Sequence, residues 1–163
     1  MALSLQARFW RSVLRKVFKE QGLSIKAERI RSLKNSRVHM PFPRDVPVTT
    51  IEVDGLKSVS ICPACLDGGR IVLHLHGGGY VSGSILAYLM LCIPMARALN
   101  ATVILPEYRL APEDPYPAAL EDALKAYRWL LARGHSASDI VLSGDSAGRS
   151  EEHTSELQSR QVI

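Results

Sequence analysis

Ile140-Val141-Leu142-Ser143-Gly144-Asp145-Ser146-Ala147-Gly148 is the stretch on which the reading of this chain turns. Ile140 to Ser143 has the character of a short buried strand, and Gly-x-Ser-x-Gly follows it immediately. Glycines at 144 and 148 leave room for a cramped strand-to-helix turn that lifts the Ser146 hydroxyl into the open. The helix expected behind it presents an N-terminus that favours developing negative charge. Ser146 is the candidate nucleophile.

Upstream, Ile71 to Leu75 is apolar apart from His74 and ends in His76-Gly77-Gly78-Gly79. This is a second central strand followed by a glycine loop whose backbone N–H groups can approach a substrate oxygen without a Cβ in the way. Gly77 and Gly78, with Ala147 beyond the nucleophile, are the expected oxyanion donors. A phosphate-cradling loop would need G-x-x-x-x-G-K-[ST], and no Lys follows Gly79.

Outward from these motifs, strands and helices alternate. Thr49 to Val53 and Lys57 to Cys62 flank Asp54-Gly55 and predict a short antiparallel hairpin. Helices are expected over Leu86 to Leu99 and Tyr116 to Arg133, with a strand over Ala101 to Leu105 between them. The pattern implies an α/β fold with a parallel sheet covered on both faces. Pro41, Pro43 and Pro47 mark an extended connector ahead of it. From Leu5 to Lys19, apolar residues recur at three- and four-residue spacing among arginines and lysines: an amphipathic helix that can pack on its own protein or make weak membrane-surface contact.

Charge is unevenly placed. Residues 1–44 carry eleven Lys and Arg against two Asp and Glu, and the remainder carries nine against fourteen. No aromatic-interleaved basic motif accompanies the basic head, so nucleic acid is not an expected partner. Three sparse cysteines argue against a disulfide framework and fit a reducing, cytoplasmic setting. Cys62-Pro63-Ala64-Cys65 supplies too few ligands for zinc, and no metal or cofactor is expected. No apolar run of about 18 residues suggests a membrane span.

LHLHGGGY (73–80), PEYRLAPEDPYPAALEDA (106–123) and SGDSAG (143–148), in this order, resemble the hormone-sensitive-lipase family of α/β-hydrolase esterases. The resemblance covers roughly Val48 to Gly148 and implies a carboxylic ester hydrolase with an N-terminal helical cap. It implies that His76 anchors the oxyanion loop with Gly79 and is not the base. It also implies that Tyr108 to Pro117 is a structural turn, that Asp122 braces this region, and that Asp145 shapes the elbow between Gly144 and Gly148. His74 reads as a packed core histidine. The division is then a basic cap segment and connector over 1–47, a partial hydrolase domain over 48–148, and a tail over 149–163.

The pattern breaks at the tail. The fold's triad runs Ser, then Asp or Glu, then His, each later partner on a loop after a further strand. Only fifteen residues follow Gly148, and His153 and Glu156 would recede from Ser146 along one helix. Arg149 to Ser159 resembles a translated sequencing adapter, and the tail over 149–163 is expected to be non-native. The fold is thus expected to be truncated after the nucleophile elbow. These residues alone are expected to show little turnover and, with an open sheet edge, poor solubility. The rival readings are a non-catalytic small-molecule-binding member of the same fold and a hydrolase of amides or acetylated compounds.

Overall fold

The computed structural model describes residues 45–64 and 69–149, together with Ala27, Arg29, Ile30 and Lys34 of an earlier helical stretch. The amphipathic helix expected over Leu5 to Lys19, most of the connector, Cys65 and the tail after Arg149 lie outside the described residues.

Strand β1 (Val48–Val53) turns back into β2 (Leu56–Ile61) with Val53 opposite Leu56. The turn needs left-handed backbone at both central positions, which Asp54 and Gly55 adopt at φ 48° and 83°. Strand β3 (Ile71–Leu75) leads to helix α1 (Ile85–Leu99), then β4 (Thr102–Pro106), helix α2 (Ala118–Ala132), a short 3₁₀ turn and β5 (Ile140–Gly144).

The five strands form one sheet in the order β1-β2-β4-β3-β5. β3 pairs in parallel with β4 and β5, as alternation predicts. The hairpin joins the same sheet through antiparallel pairing of β2 with β4, so the sheet as a whole is mixed. This pairing is a tertiary contact between segments some forty residues apart, and local pattern carries no signal for it.

Side-chain alternation sorts the core into two halves. Val59, Ile61, Val72, Val103 and Leu105 face α1, where Leu89, Cys92, Ile93 and Ala96 meet them. Leu73, Leu75 and Ile104 face α2 and pack on Ala123, Ala126, Tyr127 and Leu130. β3, between its two parallel partners, is buried at every position. Full burial of each such aliphatic side chain is worth about 2 kcal/mol. α1 starts where the Ser84 side chain accepts the Ala87 N–H and stops at Asn100 in the left-handed conformation.

The crossover through α1 places β4 on one side of β3, and the crossover through α2 places β5 on the other. A doubly wound sheet opens a crevice where successive connections leave in opposite directions, beyond the carboxyl ends of its strands. Here Leu75 pairs with Gly144, so the chain leaves β3 into His76 and leaves β5 into Asp145 side by side. Among the described residues β5 is paired on one side only, and its Val141 is exposed. No helix among them is long and apolar enough to cross a membrane.

Candidate active site

Ser146 stands in the open at the end of β5 with φ 51°, a left-handed backbone that serine adopts only under constraint. The constraint is visible around it. A Cβ on Gly144 would meet the carbonyl carbon of Gly148 at 2.5 Å, and a Cβ on Gly148 would collide with the Leu75 carbonyl oxygen. The elbow is therefore main chain pressed on main chain, and Gly148 lies directly against the end of β3. Ala147, Gly148 and Arg149 are helical, with the Gly148 N–H donating to the Asp145 carbonyl at 2.9 Å. Ala147 opens that turn, where a helix leaves N–H groups without an internal partner.

The glycine loop folds over the elbow. The Gly78 carbonyl accepts the Val81 and Ser82 N–H groups at 3.2 and 3.0 Å and the Ser82 hydroxyl at 2.9 Å. Gly78 at φ 133° and Gly79 at φ 63° give the tight curvature that this requires. Tyr80 reaches back, its hydroxyl donating to the Ala147 carbonyl at 3.0 Å. The two motifs that the sequence separates by some seventy residues thus share one cleft.

Gly77 departs from its expected role. Its N–H donates to Asp145 Oδ1 and to the Tyr88 hydroxyl, both at 2.9 Å, and Gly77 is buried. A donor committed to these two acceptors is not presented to the cleft. Among the described residues, the N–H groups of Gly78 and Gly79 donate to no protein acceptor, and these two residues are progressively more exposed. The first glycine is turned inward because Asp145 occupies the space beside it: a Cβ on Gly77 would also collide with that carboxylate.

Asp145 joins both motifs, accepting from Gly77 and from the Tyr88 hydroxyl at 2.8 Å. Burial and that bond push the Tyr88 phenol up to about 12, so it stays protonated and donates. His74 and His76 are buried beneath the cleft. Burial lowers the pKa of each, so both are neutral at pH 7. His74 holds Ser143 through Nδ1 at 3.1 Å, and its Nε2, 3.9 Å from Asp145, lies beyond hydrogen-bond range. His76 bonds the Gly77 carbonyl at 3.0 Å and stacks on Tyr108 at 4.2 Å between ring centres. Neither histidine is hydrogen-bonded to Ser146, and both are placed as structural supports.

The loop from Tyr108 to Pro117 is tied to the glycine loop by the Ala111 N–H, which donates to the Tyr80 carbonyl at 2.8 Å. Tyr108 donates its hydroxyl to the His76 carbonyl. Arg109 grips the fully buried Asp122 through Nε at 2.9 Å and Nη2 at 2.8 Å, and its backbone N–H adds a third bond at 2.9 Å. Among the described residues no group of three or more His, Cys, Asp or Glu could hold a metal ion.

A family model described as the alpha/beta hydrolase fold matches residues 72–150, the span from β3 through the elbow. A crystal structure of an esterase from the bacterial hormone-sensitive lipase family superposes with a TM-score of 0.81 at 33% identity, covering 99% of this chain and 54% of that one. The chain has the α/β-hydrolase fold and resembles the hormone-sensitive-lipase-like esterases. Among curated relatives of this family, the esterase LipI of Mycobacterium tuberculosis is 34% identical over 140 residues, 79% of this chain and 42% of its own length. An acetyl-hydrolase of Streptomyces hygroscopicus is 46% identical over 102 residues, 63% of this chain and 34% of its own. The chain therefore spans about half or less of the length of the hydrolases it matches.

Two contributors to the site are not marked as such by the sequence. Tyr88 is one aromatic in an apolar helix, and Tyr80 closes the LHLHGGGY motif with nothing to show that its hydroxyl reaches Ala147. Each acts through a contact more than ten residues away in sequence, and local pattern does not encode such contacts.

Proposed function

We propose that the protein hydrolyses carboxylic esters through an acyl-enzyme, with Ser146 as nucleophile. The supporting observation is Ser146 held exposed at φ 51° on a glycine-packed elbow that Asp145 and Tyr80 tie to the glycine loop. Gly78, Gly79 and Ala147 donate backbone N–H groups to the tetrahedral oxyanion; Gly77, bound to Asp145 and Tyr88, positions the loop instead. Attack by the serine oxygen on the ester carbonyl expels the alcohol, and water then releases the acid and restores the hydroxyl. Asp145 holds the loop and elbow together and takes no proton from the nucleophile. The general base and its orienting carboxylate come from residues outside those described, so residues 1–149 alone turn over slowly. The resemblance to an acetyl-hydrolase favours short acyl groups. The sparse cysteines fit a cytoplasmic enzyme.

The test is hydrolysis of p-nitrophenyl acetate by the parent enzyme, with the general base and its carboxylate present, and by its Ser146→Ala variant. Ester hydrolysis falling about a thousandfold or more in the variant is expected. Equal hydrolysis by both proteins removes Ser146 from the reaction.

A further inference from the structure

Arg29 belongs to the basic N-terminal segment, yet its guanidinium bridges the glycine loop and the loop from Tyr108 to Pro117. Nε donates to the Val81 carbonyl at 2.7 Å, and Nη2 donates to the Ala111 carbonyl at 2.9 Å. Nη1 and Nη2 take the two oxygens of Glu113 at 2.9 and 2.8 Å. One planar fork thus binds two carbonyls on different loops and a carboxylate, a pattern that the point charge of a lysine cannot reproduce.

Its partners lie one bond from the cleft. The Val81 N–H donates to the Gly78 carbonyl, and the Ala111 N–H donates to the Tyr80 carbonyl at 2.8 Å. Tyr80 is itself tied to Ala147. The loops at 78–82 and 108–117 share that backbone bond, and the guanidinium fastens them together a second time. The Arg29 side chain is 28% exposed and that of Glu113 is 61% exposed. The ion pair alone is therefore a weak tie. What Arg29 adds is the geometry of its two carbonyl bonds.

We propose that Arg29 is a positioning residue: it latches the N-terminal segment onto the Val81 and Ala111 carbonyls and so holds Gly78 and Gly79 in register with Ser146. This deepens the hydrolase reading and rests on it. Loss of the latch leaves substrate contacts in place but loosens the donors that act on the oxyanion. It therefore lowers kcat with little change in KM for a small ester. Glu113 orients the fork, and its carboxyl is held below the usual range by that bond.

The experiment compares Arg29→Ala, Arg29→Lys and the charge-reversed pair Arg29→Glu with Glu113→Arg in the parent enzyme that carries the general base. Hydrogen exchange at 78–83 and 108–114 and steady-state hydrolysis of p-nitrophenyl acetate are the readouts. Exchange about tenfold faster at both loops but unchanged in β3 is expected for Arg29→Ala and Arg29→Lys. A kcat about tenfold lower at similar KM is expected beside it. The reversed pair should recover neither, because a glutamate cannot donate to a carbonyl. Full recovery by the reversed pair or by Arg29→Lys overturns the proposal, as does unchanged loop exchange or an unchanged kcat. If the unaltered parent enzyme hydrolyses no ester, the hydrolase reading fails, and exchange alone then decides whether the latch exists.

Discussion

Around Ser146 the chain is held by main chain packed on main chain, whereas the loop from Tyr108 to Pro117 is held by side chains. Gly148 lies on the Leu75 carbonyl, Gly144 on Gly148, and Gly77 beside Asp145. At the other loop, Arg109 grips Asp122, Tyr108 reaches the His76 carbonyl, and Arg29 reaches Glu113. A contact between backbones has no rotamer with which to yield. A partly exposed guanidinium that loses its partner can turn to water. The first side leaves no room for a methyl group at 144 or 148 around Ser146, and the second tolerates adjustment.

Gly148→Ala is the most direct way to break this contrast. Its methyl would enter the Leu75 carbonyl at the end of the central strand, so a stability loss of about 3 kcal/mol or more is expected. Urea unfolding would read it as a lowered midpoint at constant slope. A loss below about 1 kcal/mol would mean that the elbow can shift, and the two sides would then differ only in degree.

Asp122→Ala tests the other side. It removes a buried carboxylate with three bonds to Arg109, but that guanidinium is 40% exposed and can hydrate once released. A loss of about 2 kcal/mol is expected, below the range for breaking a fully buried pair. A larger loss in Asp122→Ala than in Gly148→Ala would invert the ranking.

Acid separates the two sides by pH. The pKa values of His74 and His76 are lowered in the folded chain by burial, so the unfolded chain binds protons first as pH falls. Stability should therefore be flat above about pH 6.5 and decline below it, by at most about 1.4 kcal/mol per pH unit for each histidine. Glu113, whose pKa is lowered by Arg29, works in a more acidic window: its contribution is present above the unfolded carboxyl pKa and is lost as pH falls through the lowered value. Urea midpoints at pH 7, 6 and 5 check the first window, and a flat profile there would show that the histidines carry no such penalty.

The smallest effect is expected for Tyr88→Phe. The ring stays against both histidines, but the hydroxyl bonds to Asp145 and Gly77 are lost, at about 1 kcal/mol. Thermal unfolding would register it. No change would indicate that Asp145 alone holds Gly77.

Much of this arrangement was legible in the chain before any coordinates. Asp54-Gly55 marked the hairpin, and the apolar runs at 71–75 and 140–143 marked two parallel strands. The glycines at 77–79, 144 and 148 marked where backbone must come close. These signals are local: a positive φ or a missing Cβ is a property of one residue, and a strand's burial is written in a few consecutive side chains. Gly77 shows where that legibility stops. Three adjacent glycines look alike in sequence, and only the position of Asp145, some seventy residues on, takes up the first N–H, while the next two donate to no acceptor among the described residues.

The sequence by itself determined the nucleophile's setting, the strand and helix alternation and the family likeness, because each is carried by residues adjacent in the chain. Tertiary structure alone decided that the hairpin joins the sheet beside β4, that His74 and His76 sit neutral beneath the site, and that Arg29 reaches across two loops. Those outcomes depend on distances between segments that the chain brings together only when its two core halves close on the sheet.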